Sequence, residues 1–217
     1  MQYLQNLIQQ LDISSLWDAV LRVAAIFLCL TIHETCHGLA AYALGDPTAK
    51  RMHRLSLNPL RHIDWFGLLL MFLVGFGWAK PVPVDMRYFK RPKEGMALTA
   101  LAGPVSNFLL ALLLILISKA IYIYTPDTNA WNMLFQFLLT TAILSIGLGL
   151  FNLIPIPPLD GSKILAAALP DSAYYQLMRY ERYGMIVLLL LSFTDIGGNA
   201  ISGAISAIFQ AFCNWIY

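Results

Sequence analysis

Charged residues are scarce in this sequence: aspartate, glutamate, lysine and arginine together make up 12% of its 217 residues. Soluble domains carry about twice that fraction. Apolar residues make up 59% of the chain, and the mean hydropathy is +0.66. We therefore expect an integral membrane protein whose surroundings are the lipid bilayer.

Cysteine is also scarce, with three residues, Cys29, Cys36 and Cys213. Their number is odd and their spacing fits no disulfide framework, so we expect buried free thiols. The sequence has no dinucleotide-binding glycine pattern, no phosphate-binding loop and no internal repeat, which argues against nucleotide-dependent enzymes and solenoids. The first dozen residues have no basic region and no A-x-A site, so we expect no removable signal peptide.

Long apolar runs predict the membrane helices, because a helix needs roughly 20 residues to cross a bilayer. The clear runs are 18–44, 96–119 and 131–153, and two weaker runs lie near 176–194 and 199–216. The stretch 65–78 is shorter, contains three glycines and is flanked by basic sequence, which favours a re-entrant or interfacial element. The predicted fold class is an all-α polytopic membrane protein with about five to six transmembrane helices.

Most of the positive charges lie in one part of the chain. Nine of the fourteen lysine and arginine residues fall between Lys50 and Lys93. If 65–78 does not cross the membrane, these nine share a side with three more basic residues further along. The positive-inside rule assigns that side to the cytoplasm. We therefore expect a multi-pass protein of the cell membrane whose amino terminus lies outside the cell. The stretch 87–93 mixes basic and aromatic residues, which predicts contact with anionic lipid headgroups, and we expect no nucleic-acid binding.

The sequence His33-Glu34-Thr35-Cys36-His37 is an H-E-x-x-H motif inside the first apolar run. On a helix, residues four apart share a face, so His33 and His37 can bind one Zn²⁺ together. Glu34 would then lie beside the metal-bound water and act as the general base. The motif predicts a zinc-dependent peptidase, and it requires a third ligand.

Asp160 is the candidate third ligand. It follows the proline-rich stretch 155–158 at the end of the third clear run. Proline cannot continue a helix, and unwound backbone at membrane depth must be buried in protein or line a wet cavity. A carboxylate in that place needs a partner, which zinc would provide. The alternative is that Asp160 is the N-cap of a helix that starts at Gly161.

Two asparagines, Asn107 and Asn152, lie within apolar runs, and each allows two interpretations. One is a structural hydrogen bond between helices. The other is an amide N–H group that donates to the developing oxyanion or to substrate backbone. Small residues before Asn107 let helices approach closely, and Pro104 interrupts the hydrogen bonding of its helix.

Three motifs together resemble the site-2 proteases, intramembrane zinc metalloproteases that cleave transmembrane or membrane-anchored substrates. The motifs are H-E-T-C-H from His33, A-G-P-V-S-N from Ala102 and N-L-I-P-I-P-P-L-D-G from Asn152, in the order of that family. The resemblance covers about residues 18–169. We therefore expect one transmembrane metalloprotease domain over 1–217, with its catalytic core at about 18–169 and accessory helices at about 170–217.

The resemblance also implies the roles of individual residues. It implies that one Zn²⁺ per chain is bound by His33, His37 and Asp160. It also implies that Glu34 is the general base, and that Asn107 and Asn152 contact the substrate or its reacting carbonyl. The implied substrates are transmembrane proteins or peptides. No stretch is long and polar enough for a PDZ or CBS domain, so we expect no substrate selection by such a module. The oligomeric state stays open.

The segment 75–84 is predicted to be extended chain. Pro81 and Pro83 are two residues apart, so both missing N–H groups would face one edge of a strand and leave the other edge able to pair. In the family a membrane-embedded β element binds the unwound substrate as an added strand. We expect the same here near 76–84, with Gly77, Val82 and Val84 as the candidate residues. The alternative is a stiff interfacial loop.

Two other functions remain open on the sequence alone. A catalytically silent membrane protein could hold zinc structurally or bind transmembrane helices without cutting them, and its fourth coordination position would be closed. A transporter with broken helices would explain the proline-rich backbone. However, the sequence shows no inverted repeat, and a transporter would leave the H-E-x-x-H motif unexplained. Hydrolysis of peptide bonds within the bilayer accounts for more of the motifs.

Overall fold

The computed structural model describes residues 16–67, 80–170 and 195–217, together with residues 172, 173, 179, 184 and 188. The regular structure in this part of the chain is helical, which confirms the all-α class. The helices are α1 (Leu16–Ala43), α2 (Thr48–Arg51), α3 (Pro92–Tyr124), α4 (Asn129–Asn152), α5 (Asp160–Ala167) and α6 (Asp195–Ile216). Short 3₁₀ helices lie at Pro59–Arg61 and Met86–Tyr88.

Three of the described helices are long and apolar enough to cross a membrane, namely Ala19–Ala43, Pro92–Tyr124 and Asn129–Asn152. They correspond to the three clear apolar runs, and the chain is a membrane protein. Helix α6 forms over the weaker run at 199–216 but is not one of the three. The run 176–194 and the predicted re-entrant stretch 65–78 lie largely outside the described residues, so the full number of crossings stays a prediction.

Helix α3 lies at the centre of the bundle and packs against α1, α4 and α5. Its contact with α4 is made by small and β-branched residues, because lipid offers no hydrophobic driving force and close packing must hold the helices together. A hydrogen bond joins the two helices as well, from Ser145 Oγ to the carbonyl oxygen of Asn107 at 2.8 Å. The fully buried apolar residues of this contact are Ala111, Ile115, Ala142 and Ile146.

The segment 80–84 is the described part of the predicted β element, and the structure corrects that prediction because no strand forms there. Proline at 81 and 83 removes two backbone donors. The two donors before and between the prolines are used elsewhere: the Lys80 N–H donates to the His62 carbonyl and the Val82 N–H to Glu34, each at 2.9 Å. Neither N–H remains for a neighbouring strand. Gly77 lies outside the described residues.

Candidate metal centre and active site

His33 and His37 lie one turn apart on α1, and both side chains are buried. Helical spacing places the two rings on the same face. Their Nε2 atoms are 2.9 Å apart, and the ring planes are nearly perpendicular at 89°. The pair therefore presents two nitrogen atoms to one point in the interior of the bundle.

Asp160, the first residue of α5, completes this cluster. Its Oδ2 atom lies 3.1 Å from Nε2 of His33 and 3.0 Å from Nε2 of His37. The alternative that Asp160 is an N-cap is wrong, because α5 begins at Asp160 itself, with Leu159 as the N-cap and no side-chain capping bond. The proline-rich turn before α5 instead directs this carboxylate at the two histidines.

The three side chains fit a zinc ion. In a tetrahedral site with Zn–N bonds of about 2.0 Å, the ligand atoms are about 3.3 Å apart. The three atoms here are separated by 2.9, 3.0 and 3.1 Å. Two imidazole nitrogens and one carboxylate oxygen are also ligand types that zinc accepts, and three protein ligands leave a fourth position for a water or substrate.

Two further contacts orient these ligands. Nδ1 of His37 donates to the carbonyl oxygen of Thr99 at 2.7 Å, which leaves the Nε2 lone pair for a metal. On the other side, Nζ of Lys163 lies 3.4 Å from Oδ1 of Asp160. The positive charge of Lys163 stabilises the ionised form of Asp160, which is the form that a zinc ligand requires.

Glu34 lies beside the same cluster. A carboxylate oxygen of Glu34 and one ligand atom from each of the two histidines all lie within 4.8 Å of one another. Its Oε2 atom accepts a hydrogen bond of 2.9 Å from the backbone N–H of Val82. The irregular segment 80–84 thus holds this carboxylate next to the position that a metal would take.

Gly103 is a residue whose importance the sequence reasoning missed. A Cβ atom at this position would lie 2.5 Å from Nε2 of His37 and 2.6 Å from Cε1 of His33. Carbon atoms do not approach that closely, so only glycine lets α3 pack on the two candidate ligands. The sequence signal was a glycine next to Pro104 in an apolar run, which predicts close helix contact but does not say with what.

The cluster opens into a cavity of about 450 Å³. Its wall is mostly apolar and contains three residues of the segment 80–84, namely Pro81, Val82 and Val84. An apolar cavity with a few convergent polar groups is typical of a site that binds substrate. Besides the metal cluster, the lining includes Val82, Val84, Phe151, Asn152 and Lys163.

The two predicted substrate-contacting asparagines occupy different places. Asn152 lines the cavity, and its Nδ2 donates to the Leu148 carbonyl of its own helix at 3.0 Å. Asn107 is not among the lining residues and is fully buried beside α4. Within the described part of the chain, neither atom of its side-chain amide has a hydrogen-bond partner. The structural alternative for Asn107, a side-chain bond between helices, is therefore not formed here, and its catalytic role stays a prediction.

Comparison with known sequences places this geometry in a family. YwhC of Bacillus subtilis (strain 168), which is named as a zinc metalloprotease, is 38% identical over 201 residues, or 87% of this chain and 92% of that protein. The family model described as Peptidase family M50 matches residues 117–193, which include Asp160 but not the H-E-x-x-H motif. The chain belongs to peptidase family M50. The predicted relationship to the site-2 proteases and the enzyme class, a metalloprotease, are thereby confirmed.

Other members of the family share less of their length with this M50 protein. Rip2 of Mycolicibacterium smegmatis is 26% identical over 182 residues, which are 81% of this chain and 67% of that protein. The zinc metalloprotease MJ0392 of Methanocaldococcus jannaschii is 38% identical over 86 residues, which are 40% of this chain and 23% of that protein. No solved structure matches the chain.

Proposed function

We propose that this M50 protein is an intramembrane endopeptidase that hydrolyses peptide bonds in the transmembrane segments of membrane-protein substrates. One observation carries the proposal: the candidate ligands His33 and His37, with Glu34, lie on a helix that is long and apolar enough to cross a membrane. Peptide bonds inside a bilayer are out of reach of a soluble protease. A catalytic cluster on a membrane helix, next to a mostly apolar cavity, would lie at the same depth in the bilayer as those peptide bonds.

The residues of the site have separate roles in metal binding, proton transfer and contact with the substrate. His33, His37 and Asp160 would hold one zinc ion per chain, which when bound supplies Lewis acidity to the scissile carbonyl and to the attacking water. Glu34 accepts the proton of that water and returns it to the leaving amine. Asn152, on the cavity wall, donates an amide N–H to substrate backbone or to the developing oxyanion, and Asn107 is the second candidate for that role.

We also propose that the active site lies nearer the cytoplasmic side and that the amino terminus lies outside. Helix α1 ends at Ala43, ten residues after His33 and so about 15 Å along the helix axis. The basic loop 50–93 follows that end, and the positive-inside rule assigns such a loop to the cytoplasm. Because α3 and α4 lead away from the loop and back again, Asp160 returns to the same side.

Removal of the metal is expected to abolish activity reversibly. Purified full-length protein in detergent should cut a model single-span substrate, lose that activity on dialysis against a zinc chelator and recover it with about one equivalent of zinc. Metal content and cleavage are measured on the same samples. Undiminished cleavage by metal-free protein would refute the metalloprotease mechanism, and zinc-loaded protein that cuts no substrate of a panel would favour the catalytically silent alternative.

We propose that the segment 80–84 binds the backbone of the unwound substrate through the N–H of Val84. Val84 lines the cavity, and its N–H has no hydrogen-bond partner among the described residues. Val84→Pro removes that donor and should lower kcat/KM about fivefold with zinc retained, since one hydrogen bond is worth about 1 kcal/mol. Val84→Ala keeps the N–H and serves as the control. Equal kcat/KM in the two variants would show that this N–H binds no substrate.

A further inference from the structure

Arg54 is a buried cation in the loop between α2 and the segment 80–84. Only 8% of its surface is exposed, and no carboxylate among the described residues lies within ion-pair distance of it. Its Nη2 atom instead donates to two backbone carbonyls, that of Lys80 at 2.7 Å and that of Pro81 at 3.3 Å. Burying a charge costs free energy unless it is well hydrogen-bonded. Among the described residues, the hydrogen bonds of this costly buried group therefore go to backbone carbonyls.

The turn after α2 directs Arg54 inward. His53 has a left-handed backbone with φ of 53°. The N–H of His53 donates to the Lys50 carbonyl at 3.0 Å, and the N–H of Arg54 donates to the Ala49 carbonyl at 2.8 Å. This pair of bonds is a Schellman motif, which reverses the chain at the end of a helix. As a result Arg51 stays exposed while Arg54, three residues later, is buried.

The carbonyl of Pro81 belongs to the same peptide group as the N–H of Val82. That peptide group is planar, so fixing its oxygen also fixes the direction of its N–H. Arg54 binds the oxygen, and Glu34 accepts from the N–H at 2.9 Å. Because prolines occupy 81 and 83, Val82 has the single N–H in the stretch 81–83. Glu34 therefore depends on one peptide group, which is held from its far side by a guanidinium.

We propose that Arg54 is a positioning residue for the general base. It orients the Pro81–Val82 peptide group so that the Val82 N–H holds Glu34 beside His33 and His37. Arg54 does not line the active-site cavity, so it acts through this peptide group and not on the substrate. The inference rests on the proposed function, because the placement of Glu34 matters to a rate only if Glu34 serves as a base.

The first test is Arg54→Gln in the full-length protein, with kcat and KM measured on the single-span substrate and zinc content measured alongside. A displacement of about 1 Å of a catalytic group costs about 100-fold in rate, so kcat should fall by about that factor while KM and zinc content stay at wild-type values. Arg54→Lys retains the charge but offers no planar fork, so it should recover part of kcat. Arg51→Gln, an exposed arginine in the same loop, is the matched control and should keep wild-type kcat.

The second test is a double-mutant cycle with Val82→Pro, which removes the N–H itself. If Arg54 acts through that N–H, the double variant should be no slower than Val82→Pro alone. If the kcat losses of the two single variants multiply in the double variant, or if zinc content falls together with kcat, Arg54 merely supports the fold and the inference is overturned. Wild-type kcat in Arg54→Gln would also overturn it and leave the proposed function standing. An inactive wild-type protein would refute the proposed function and this inference together.

Discussion

Glu34→Gln is expected to abolish cleavage of a single-span substrate while zinc stays bound. Glutamine has nearly the same shape and can still accept the hydrogen bond from the Val82 N–H. It cannot accept a proton from water, and proton transfer by a positioned side chain contributes about 100- to 10,000-fold to a rate. The loss of kcat should therefore reach at least about 100-fold without a loss of the fold.

Cleavage rate and zinc content are measured on the same preparations. Glu94→Gln is the matched control, because Glu94 is exposed in an ion pair with Arg91 and should cut at the wild-type rate. Two results would contradict the assignment of Glu34. Full activity in Glu34→Gln would remove its role as base, and loss of zinc would mean that Glu34 is itself a ligand, as its place within 4.8 Å of both histidines permits.

Gly103→Ala is expected to cost the protein its zinc and hence all of its activity. The added carbon would lie 2.5 Å from Nε2 of His37 and 2.6 Å from Cε1 of His33. The ring of His37 cannot retreat easily, because its Nδ1 is bonded to the Thr99 carbonyl on α3. Intrinsic propensity works in the opposite direction, since alanine favours a helix over glycine by about 1 kcal/mol. A loss of zinc would therefore report the steric contact and not a weakened helix.

Gly203→Ala provides the control for this experiment. Gly203 lies within α6, and a Cβ atom there would meet nothing within 4 Å. This variant should hold zinc, cut at the wild-type rate and unfold at a slightly higher temperature. Zinc content and thermal unfolding are compared for both glycine variants. Full zinc occupancy in Gly103→Ala would show that α3 does not pack on the two histidines as described.

The features that the sequence predicted are those encoded locally. The crossing helices follow from runs of apolar residues, and the common direction of His33 and His37 follows from a spacing of four on a helix. The prediction of Asp160 as a ligand required more information, namely the run of prolines before it and the order of the three motifs. In the structure, α3 carries the chain away from the histidines and α4 carries it back, so Asp160 at the start of α5 lies beside them. The contact therefore depends on the number and the length of the helices between the two parts of the site.

The features that the sequence did not predict depend on irregular backbone. The extended segment was expected from Pro81 and Pro83, but the hydrogen-bond partner of Val82 was not, because Glu34 lies 48 residues away and no periodicity links the two. The contact of Arg54 with the Pro81 carbonyl is of the same kind. Gly103 shows the same limit for a helix, since a small residue predicts a close approach without naming the neighbour.

The histidines and Asp160 lie far apart along the chain, so they are synthesised at different times. Asp160 follows His33 by 127 residues, and at about 5 to 20 residues per second the ribosome needs roughly 6 to 25 seconds to add them. During that interval the newborn chain carries the histidines and the base without the third ligand. The proposed metal centre therefore cannot assemble until synthesis of the chain has reached the start of α5.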